Sequence, residues 1–126
     1  MNKLLLAAVF LLAPGYCLAD DHSSVVETWS CVLKGGKKME EVEANNSKWL
    51  ALARKTTGAE DINSYVMTTI VGDQAGFVFA DIYPSLAAWS AQKSAEEADE
   101  GQAIEDTFND LIDCKNNRLY KSEATQ

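Results

Sequence analysis

The sequence predicts a single α+β domain in which strands and helices follow the order β-α-β-β-α-β. Segments in which apolar residues alternate with polar ones, typical of half-buried strands, lie on both sides of a segment with helical spacing. Two alternating segments then follow each other across a short glycine-containing connection, which indicates a hairpin. A second helical region and a short apolar segment complete the order.

The first strand and the first helix are predicted within residues 25–58. Val25 to Leu33 mixes β-branched and aromatic residues and ends at Lys34-Gly35-Gly36, which is the composition of a strand and a turn. A helix is predicted over residues 39–55, because its large apolar residues share one stripe. These residues are Met39, Val42, Trp49, Leu50 and Ala53.

The middle of the chain predicts a hairpin and a short helix. Strands are predicted over residues 62–71 and 76–83, joined through residues 72–75. Pro84-Ser85 ends the second strand and caps a helix from Leu86 to about Lys93.

The last part of the chain predicts a further helix and a final strand. Ser94-x-x-Glu97 resembles a capping box and indicates that a new helical turn begins there. An apolar stripe from Ile104 to Ile112 indicates a helix that ends near Cys114. Residues 118–120 are predicted as the last strand, and residues 122–126 as a frayed tail. We interpret the acidic run over residues 96–100 as a solvated face.

This order is the ferredoxin-like arrangement, in which the first and last strands are antiparallel neighbours. The end of the first strand, at Cys31, would then lie beside the start of the last, just after Cys114. We therefore expect a disulfide between Cys31 and Cys114, which is the favoured state of a cysteine pair in an oxidising compartment.

The first nineteen residues have the composition of a cleaved export signal. A short basic start precedes an apolar run over residues 4–13, and Cys17-Leu18-Ala19 offers small residues at the cleavage positions. The run is shorter than the roughly 20 apolar residues that a membrane-spanning helix needs. We therefore expect a signal peptide over residues 1–19 and one domain over residues 20–126, periplasmic or secreted and without a membrane anchor. A lipoprotein that keeps Cys17 is the less favoured alternative.

The composition after residue 19 is strongly acidic. Ten basic and nineteen acidic residues follow it, which give a net charge of −9 with histidine neutral. Such a surface repels nucleic acid and anionic lipid. We therefore expect no nucleic-acid partner.

A predicted strand is joined to a Leu-x-x-Trp helix by the segment Ile82-Tyr83-Pro84-Ser85-Leu86-Ala87-Ala88-Trp89. In this pattern the chain resembles the dimeric α+β barrel superfamily, which includes antibiotic-biosynthesis monooxygenase-like and stress-responsive barrel domains. The resemblance covers most of the domain and implies a homodimer of two face-to-face sheets, with a pocket between sheet and helices. The inward histidine of the haem-binding branches is absent, and we expect no tightly held cofactor. Most relatives are cytosolic, whereas this chain carries the features of export.

The residues on the two faces of the strand predicted over residues 76–83 also indicate a dimer. Its compact residues are expected to face the helices: Val78, Ala80 and Ile82. Its larger and polar residues then share the opposite face with Glu27 and Trp29 of the neighbouring strand: Phe77, Phe79, Asp81 and Tyr83. Aromatic residues on an exposed sheet face favour burial by a second copy, and a two-fold homodimer is the commonest solution.

Glu27 and Asp81 are the candidate catalytic carboxylates, with Tyr83 beside them. Loss of hydration and mutual repulsion would raise the pKa of one carboxyl toward neutrality, as a general base or acid requires. The alternative is that both carboxylates lie at the sheet rim and contact water or a lysine. The expected pocket walls are Trp29, Tyr65, Phe79 and Tyr83. The other two tryptophans, Trp49 and Trp89, are interpreted as core residues.

Three functions stay open at this point, since the fold alone does not choose among them. The first is the binding of a small apolar or aromatic molecule between sheet and helices. The second is a cofactor-independent oxygenase or isomerase that uses Glu27 or Asp81 as general base. The third is an N-terminal Cu(II) or Ni(II) site, which forms if the mature chain begins Asp20-Asp21-His22. Because His22 is the only histidine, a serine hydrolase or cysteine protease is not expected.

Overall fold

A computed structural model describes residues 23–125 of the chain. The strands and helices are β1 (Ser23–Leu33), α1 (Met39–Thr57), β2 (Asn63–Thr68), β3 (Phe77–Tyr83), α2 (Leu86–Glu96), α3 (Asp99–Leu111) and β4 (Ile112–Glu123). The strands form one antiparallel sheet in the order β2-β3-β1-β4. The predicted α+β class and ferredoxin-like order are therefore confirmed. The predicted signal peptide and His22 lie outside the described residues.

The last strand is much longer than the three residues predicted for it. β4 follows α3 directly and pairs with β1 from the Leu33–Ile112 pair to the Ser23–Glu123 pair. Most side chains of this edge strand are exposed, so the apolar alternation that marks a half-buried strand is missing. The expected frayed tail was wrong for its first two residues, which belong to β4.

The second helical region consists of two helices that meet in a tight turn. α2 continues to Glu96, and α3 begins at Asp99 and not near Ser94 as predicted. Gly101 lies against this turn, where an added Cβ would be 2.6 Å from the Glu96 Cα. A residue without a side chain is therefore required for the close approach of the two helices.

The hairpin between β2 and β3 is present, but β2 is shorter than predicted and ends at Thr68. Ile70 and Val71, predicted to be strand residues, lie in the connection and are almost fully exposed.

The predicted assignment of the two sheet faces was wrong. Phe77, Phe79, Asp81 and Tyr83 are buried, whereas Val78 and Ile82 on the outer face are half-buried. Larger apolar side chains gain more free energy from burial, and they therefore occupy the face that the helices cover. Within the pairing of β1 and β3, Glu27 lies opposite Asp81 and Trp29 lies opposite Phe79.

The predicted disulfide between Cys31 and Cys114 is confirmed. The two cysteines occupy directly opposed positions on β1 and β4. Cys31 belongs to a buried cluster with Val42 of α1 and Leu111 of α3, so the bond anchors the edge strand to the core. No helix within residues 23–125 is long and apolar enough to cross a membrane.

Candidate functional site

A cavity of about 800 Å³ lies between the sheet and the three helices. All three tryptophans of the chain line it, Trp29 from β1, Trp49 from α1 and Trp89 from α2. Phe79 and Phe108 add further aromatic surface. The volume falls within the range of roughly 300–1,000 Å³ that is typical of sites for small molecules.

Glu27 is a buried carboxylate held by three donors. Only 2 % of the surface of Glu27 is exposed to solvent. Trp89 Nε1 donates to Oε2 over 3.1 Å, and Asn117 Nδ2 donates to Oε1 over 2.7 Å. The Lys93 ammonium lies 3.0 Å from Oε2. Because a buried charge is costly unless it is paired and hydrogen-bonded, these donors stabilise Glu27 in place.

Lys93 connects Glu27 to a second carboxylate, that of Glu96. The Lys93 Nζ atom lies 3.1 Å from Glu96 Oε2, and Trp49 Nε1 donates to Glu96 Oε1 over 3.0 Å. Burial lowers the pKa of the Lys93 ammonium, but the nearby Glu96 and Glu27 carboxylates outweigh it, and the pKa is raised. The same Nζ atom is 6.0 Å from the centroid of the Trp29 ring, at the limit of a cation–π contact.

Asp81 lies directly opposite Glu27 but has far fewer partners. It is 6 % exposed, and its Oδ1 accepts a hydrogen bond from the Ser64 hydroxyl, which accepts one from Asn46 Nδ2 over 2.9 Å. No lysine or arginine among residues 23–125 forms an ion pair with it. Burial raises the pKa of Asp81 to about 7, although the Ser64 hydrogen bond opposes the shift. Such a carboxyl can accept or donate a proton near neutral pH.

Tyr83 lies next to this cluster and does not line the cavity. It is fully buried and packs edge-on against Trp49, with the ring centroids 6.4 Å apart. Burial, and then the charges of Asp81 and Glu27, raise its pKa, so the phenol stays protonated. Within the described residues its hydroxyl has no hydrogen-bond partner.

The structure brings together four of the residues predicted for the site, namely Glu27, Trp29, Phe79 and Asp81. Tyr65 is a correction to the predicted pocket wall, because it is 53 % exposed and pairs with Ala80 on the outer face. The predicted copper or nickel site at His22 lies outside the described residues and stays a prediction.

The sequence interpretation missed several residues of the cavity. Glu96 was interpreted as part of a solvated face, yet it lines the cavity. Trp49 and Trp89 were interpreted as core residues, and Trp49 does belong to a buried core cluster against which Trp89 packs, but both also line the cavity. One signal was available for Lys93, which follows Trp89 by four residues and therefore shares its helix face. A lysine on a buried helix face indicates a carboxylate partner within the domain.

The described residues do not bring together three or more histidine, cysteine, aspartate or glutamate side chains in an arrangement that could hold a metal ion.

No family model matches the chain, and no curated protein matches it. Solved structures do share its architecture. SnoaB, a cofactor-independent oxygenase from Streptomyces nogalater, aligns with a TM-score of 0.60 at 10 % identity, over 82 % of this chain and 96 % of SnoaB. A NIPSNAP family protein of unknown function from Agrobacterium tumefaciens aligns with a TM-score of 0.61 at 14 % identity, over 83 % of this chain and 93 % of that protein.

The chain shares the ferredoxin-like α+β fold of these structures, which belong to the dimeric α+β barrel superfamily. A third structure, a Bacteroides thetaiotaomicron protein described as a possible oxidoreductase, aligns with a TM-score of 0.55 at 10 % identity, over 80 % of this chain and 99 % of that protein. At these identities the likeness to the three solved structures shows the fold alone. The fold does not determine the function, which depends on the residues of the cavity.

Proposed function

We propose that this protein binds a small aromatic molecule in the cavity between sheet and helices. The observation that carries this proposal is the lining, in which all three tryptophans of the chain converge on one cavity of about 800 Å³. Aromatic walls with a few buried polar groups are typical of small-molecule sites, since the walls supply binding energy and the polar groups fix orientation. Phe79 and Phe108 extend the aromatic wall, and Asp81 supplies a polar group.

The neutral fluorescent probe N-phenyl-1-naphthylamine tests this proposal, because its emission rises when it enters an apolar cavity. We expect one molecule to bind per chain. The variant Trp29→Ala should bind it about tenfold more weakly, since a lost aromatic contact of roughly 1.4 kcal/mol corresponds to that factor. Tyr65→Ala is the matched control, because it removes an aromatic residue from the outer face and should leave binding unchanged. Equal affinity in all three proteins would contradict the proposal.

A second candidate function is catalysis with Asp81 as the general base, as in a cofactor-independent oxygenase or isomerase. The observation that favours it is a buried carboxyl in an aromatic cavity with its pKa raised to about 7. Glu27 is the weaker candidate base, because three donors already engage its two oxygens. SnoaB, described as a cofactor-independent oxygenase, is built on the same fold.

Oxygen uptake with hydroxylated naphthalenes tests the oxygenase candidate. The rate should rise as pH increases through 7, because the base acts in its ionised form, and Asp81→Asn should abolish it. Asp73→Asn makes the same chemical change in the β2–β3 connection and should keep the full rate. Uptake that survives in Asp81→Asn would refute the assignment of the base.

We also propose that the protein is a homodimer that forms through the outer face of the sheet. The apolar side chains of this face include those of Val26, Tyr65, Met67, Val78, Ile82 and Tyr120. An apolar sheet face of this kind favours burial by a partner. In light scattering after size-exclusion chromatography, Met67→Glu should convert a dimer into a monomer. Ile70→Glu, in the exposed connection, should stay dimeric.

Export is the last part of the proposal. A disulfide in the core, together with a basic and apolar start of the chain, supports a protein made for an oxidising compartment. Mass spectrometry of protein recovered outside the cytosol should give a mature chain that begins at Asp20. A chain that keeps residues 1–19 in the cytosol would contradict export, and any other start would remove the predicted His22 copper or nickel site.

A further inference from the structure

We propose that the molecule bound in the cavity carries an organic ammonium group, which Asp81 neutralises. The inference rests on the proposed binding function, because it assigns a charge to the ligand of that same site. The ligand would then be an amine with an aromatic or apolar body, and not a neutral or acidic aromatic compound.

The charges that line the cavity are strongly unbalanced. Five carboxylates line it, from Glu27, Asp81, Glu96, Glu105 and Asp113, against the two ammonium groups of Lys34 and Lys93. Lys93 is shared between Glu27 and Glu96, and Lys34 donates to the backbone oxygen of Asn109. The lining therefore carries an excess of negative charge that a cation would offset.

Among residues 23–125, Asp81 and Glu105 are the two shielded carboxyls of the cavity that have no lysine or arginine as an ion-pair partner. Asp81 is more than nine-tenths buried, and Glu105 is half-buried on α3. A buried carboxyl is costly to ionise unless a positive charge compensates it, so a ligand ammonium would gain both an ion pair and a hydrogen bond here.

The aromatic walls suit a cation as well as they suit an aromatic body. Trp49 and Trp89 each use the N–H edge of the indole to donate to a carboxylate, of Glu96 and Glu27 respectively. A hydrogen bond at the edge does not engage the negative π face, which attracts ammonium groups. The chain places its own ammonium in this environment, because Lys93 Nζ lies 6.0 Å from the Trp29 ring centroid and bonds to both carboxylates.

Ammonium binding should depend on the ionisation of Asp81. The charged groups that act on it are Glu27 of β1 and Lys93 and Glu96 of α2, and the neutral Ser64 of β2 donates to it. Burial raises the pKa of Asp81 to about 7, so the carboxyl is mostly protonated at pH 6 and mostly ionised at pH 8. A ligand that binds the ionised form should therefore bind about tenfold more tightly at pH 8 than at pH 6.

A pair of probes with nearly the same shape tests the inference. 2-Phenylethylamine is protonated at pH 8, whereas 2-phenylethanol is neutral, and calorimetric titration measures the affinity of both. We expect the amine to bind at least tenfold more tightly than the alcohol. Asp81→Asn should remove this preference, because the asparagine side chain carries no charge. Asp73→Asn removes one charge from the exposed β2–β3 connection and should keep the preference.

The outcomes test separately whether the site exists and whether its ligand carries a positive charge. Equal affinity for amine and alcohol in the unmodified protein overturns the inference but leaves the binding proposal intact. Failure of both probes and of N-phenyl-1-naphthylamine overturns both proposals. A preference that persists in Asp81→Asn assigns the effect to the overall negative charge and overturns the role of Asp81. The pH dependence in the unmodified protein is a second measurement that does not require the variant to fold, and a flat profile also overturns that role.

Discussion

Replacement of Asp81 by asparagine should change how the stability of the protein depends on pH. The carboxyl has a pKa of about 7 in the folded chain, because it is buried opposite Glu27, against a usual value of 3.8. At pH values between these two, the folded chain holds a proton that the unfolded chain has released. Stability therefore falls as pH rises through this interval, and Asp81→Asn abolishes the dependence.

The magnitude follows from the size of the pKa difference. Each pKa unit corresponds to about 1.4 kcal/mol, so a shift from 3.8 to about 7 destabilises the folded chain by about 4 kcal/mol once the carboxyl is ionised. Well below pH 3.8 the carboxyl is neutral in both states, and the contribution vanishes. Asp81→Asn should therefore lie within about 1 kcal/mol of the unmodified protein at pH 4 and exceed its free energy of unfolding by as much as about 4 kcal/mol at pH 8.

Urea unfolding at pH values from 4 to 9, with the disulfide intact, measures this difference. The difference in unfolding free energy between Asp81→Asn and the unmodified protein should grow between pH 4 and 7 and then stay constant. Asp73→Asn corrects for the loss of one charge from an acidic chain and should show no such growth. A constant difference across the whole range would refute the raised pKa, and with it the proposed role of Asp81 as a base that takes up a proton near neutral pH.

Three further sets of substitutions test the packing and the charges of the domain. Replacing both Cys31 and Cys114 by serine should lower the free energy of unfolding by about 4.5 kcal/mol in the chain-entropy model, measured by urea unfolding, and an unchanged value would contradict the anchoring of β4. Lys93→Met should lower the free energy of unfolding by about 3 kcal/mol, because it leaves the Glu27 charge unpaired. In the double variant, Glu27→Gln should recover much of that loss. If the two substitutions instead lowered the free energy of unfolding by the sum of their separate effects, the ion pair would be excluded. Gly101→Ala should destabilise by about 1–3 kcal/mol in thermal unfolding, because its Cβ would overlap the turn between α2 and α3, and a stable variant would show that this turn can open.

The order of the fold could be predicted from the sequence, because it depends on local periodicity. The helical stripe of Val42, Trp49 and Ala53 and the alternation in β3 depend on neighbours in the chain, and all three stripe residues are buried as expected. The length of β4 could not be predicted, since its strand conformation comes from pairing with β1, a distant segment, and not from its own exposed residues.

The pairing of the site residues was predictable only in part. Glu27 and Asp81 were expected on one face, and the register confirms that they lie opposite each other. Which face the helices cover depends on how three helices pack together, and periodicity alone does not contain that information. The partners of Glu27 come from α2 and β4, at Trp89, Lys93 and Asn117, and only the tertiary fold brings them together.

The contrast between Glu27 and Asp81 is the strongest argument that this cavity serves more than stability. Two carboxylates lie opposite each other on neighbouring strands, and both residues are more than nine-tenths buried. The fold supplies three donors to Glu27, one of them a cation, and it supplies a serine hydroxyl to Asp81. A domain shaped for stability alone gains nothing from an ionisable group that lowers its stability at pH 8, since an apolar residue would fit that position at lower cost. Both proposed roles give the carboxyl of Asp81 a use, either to take a proton from a bound molecule or to pair with the positive charge of the molecule itself.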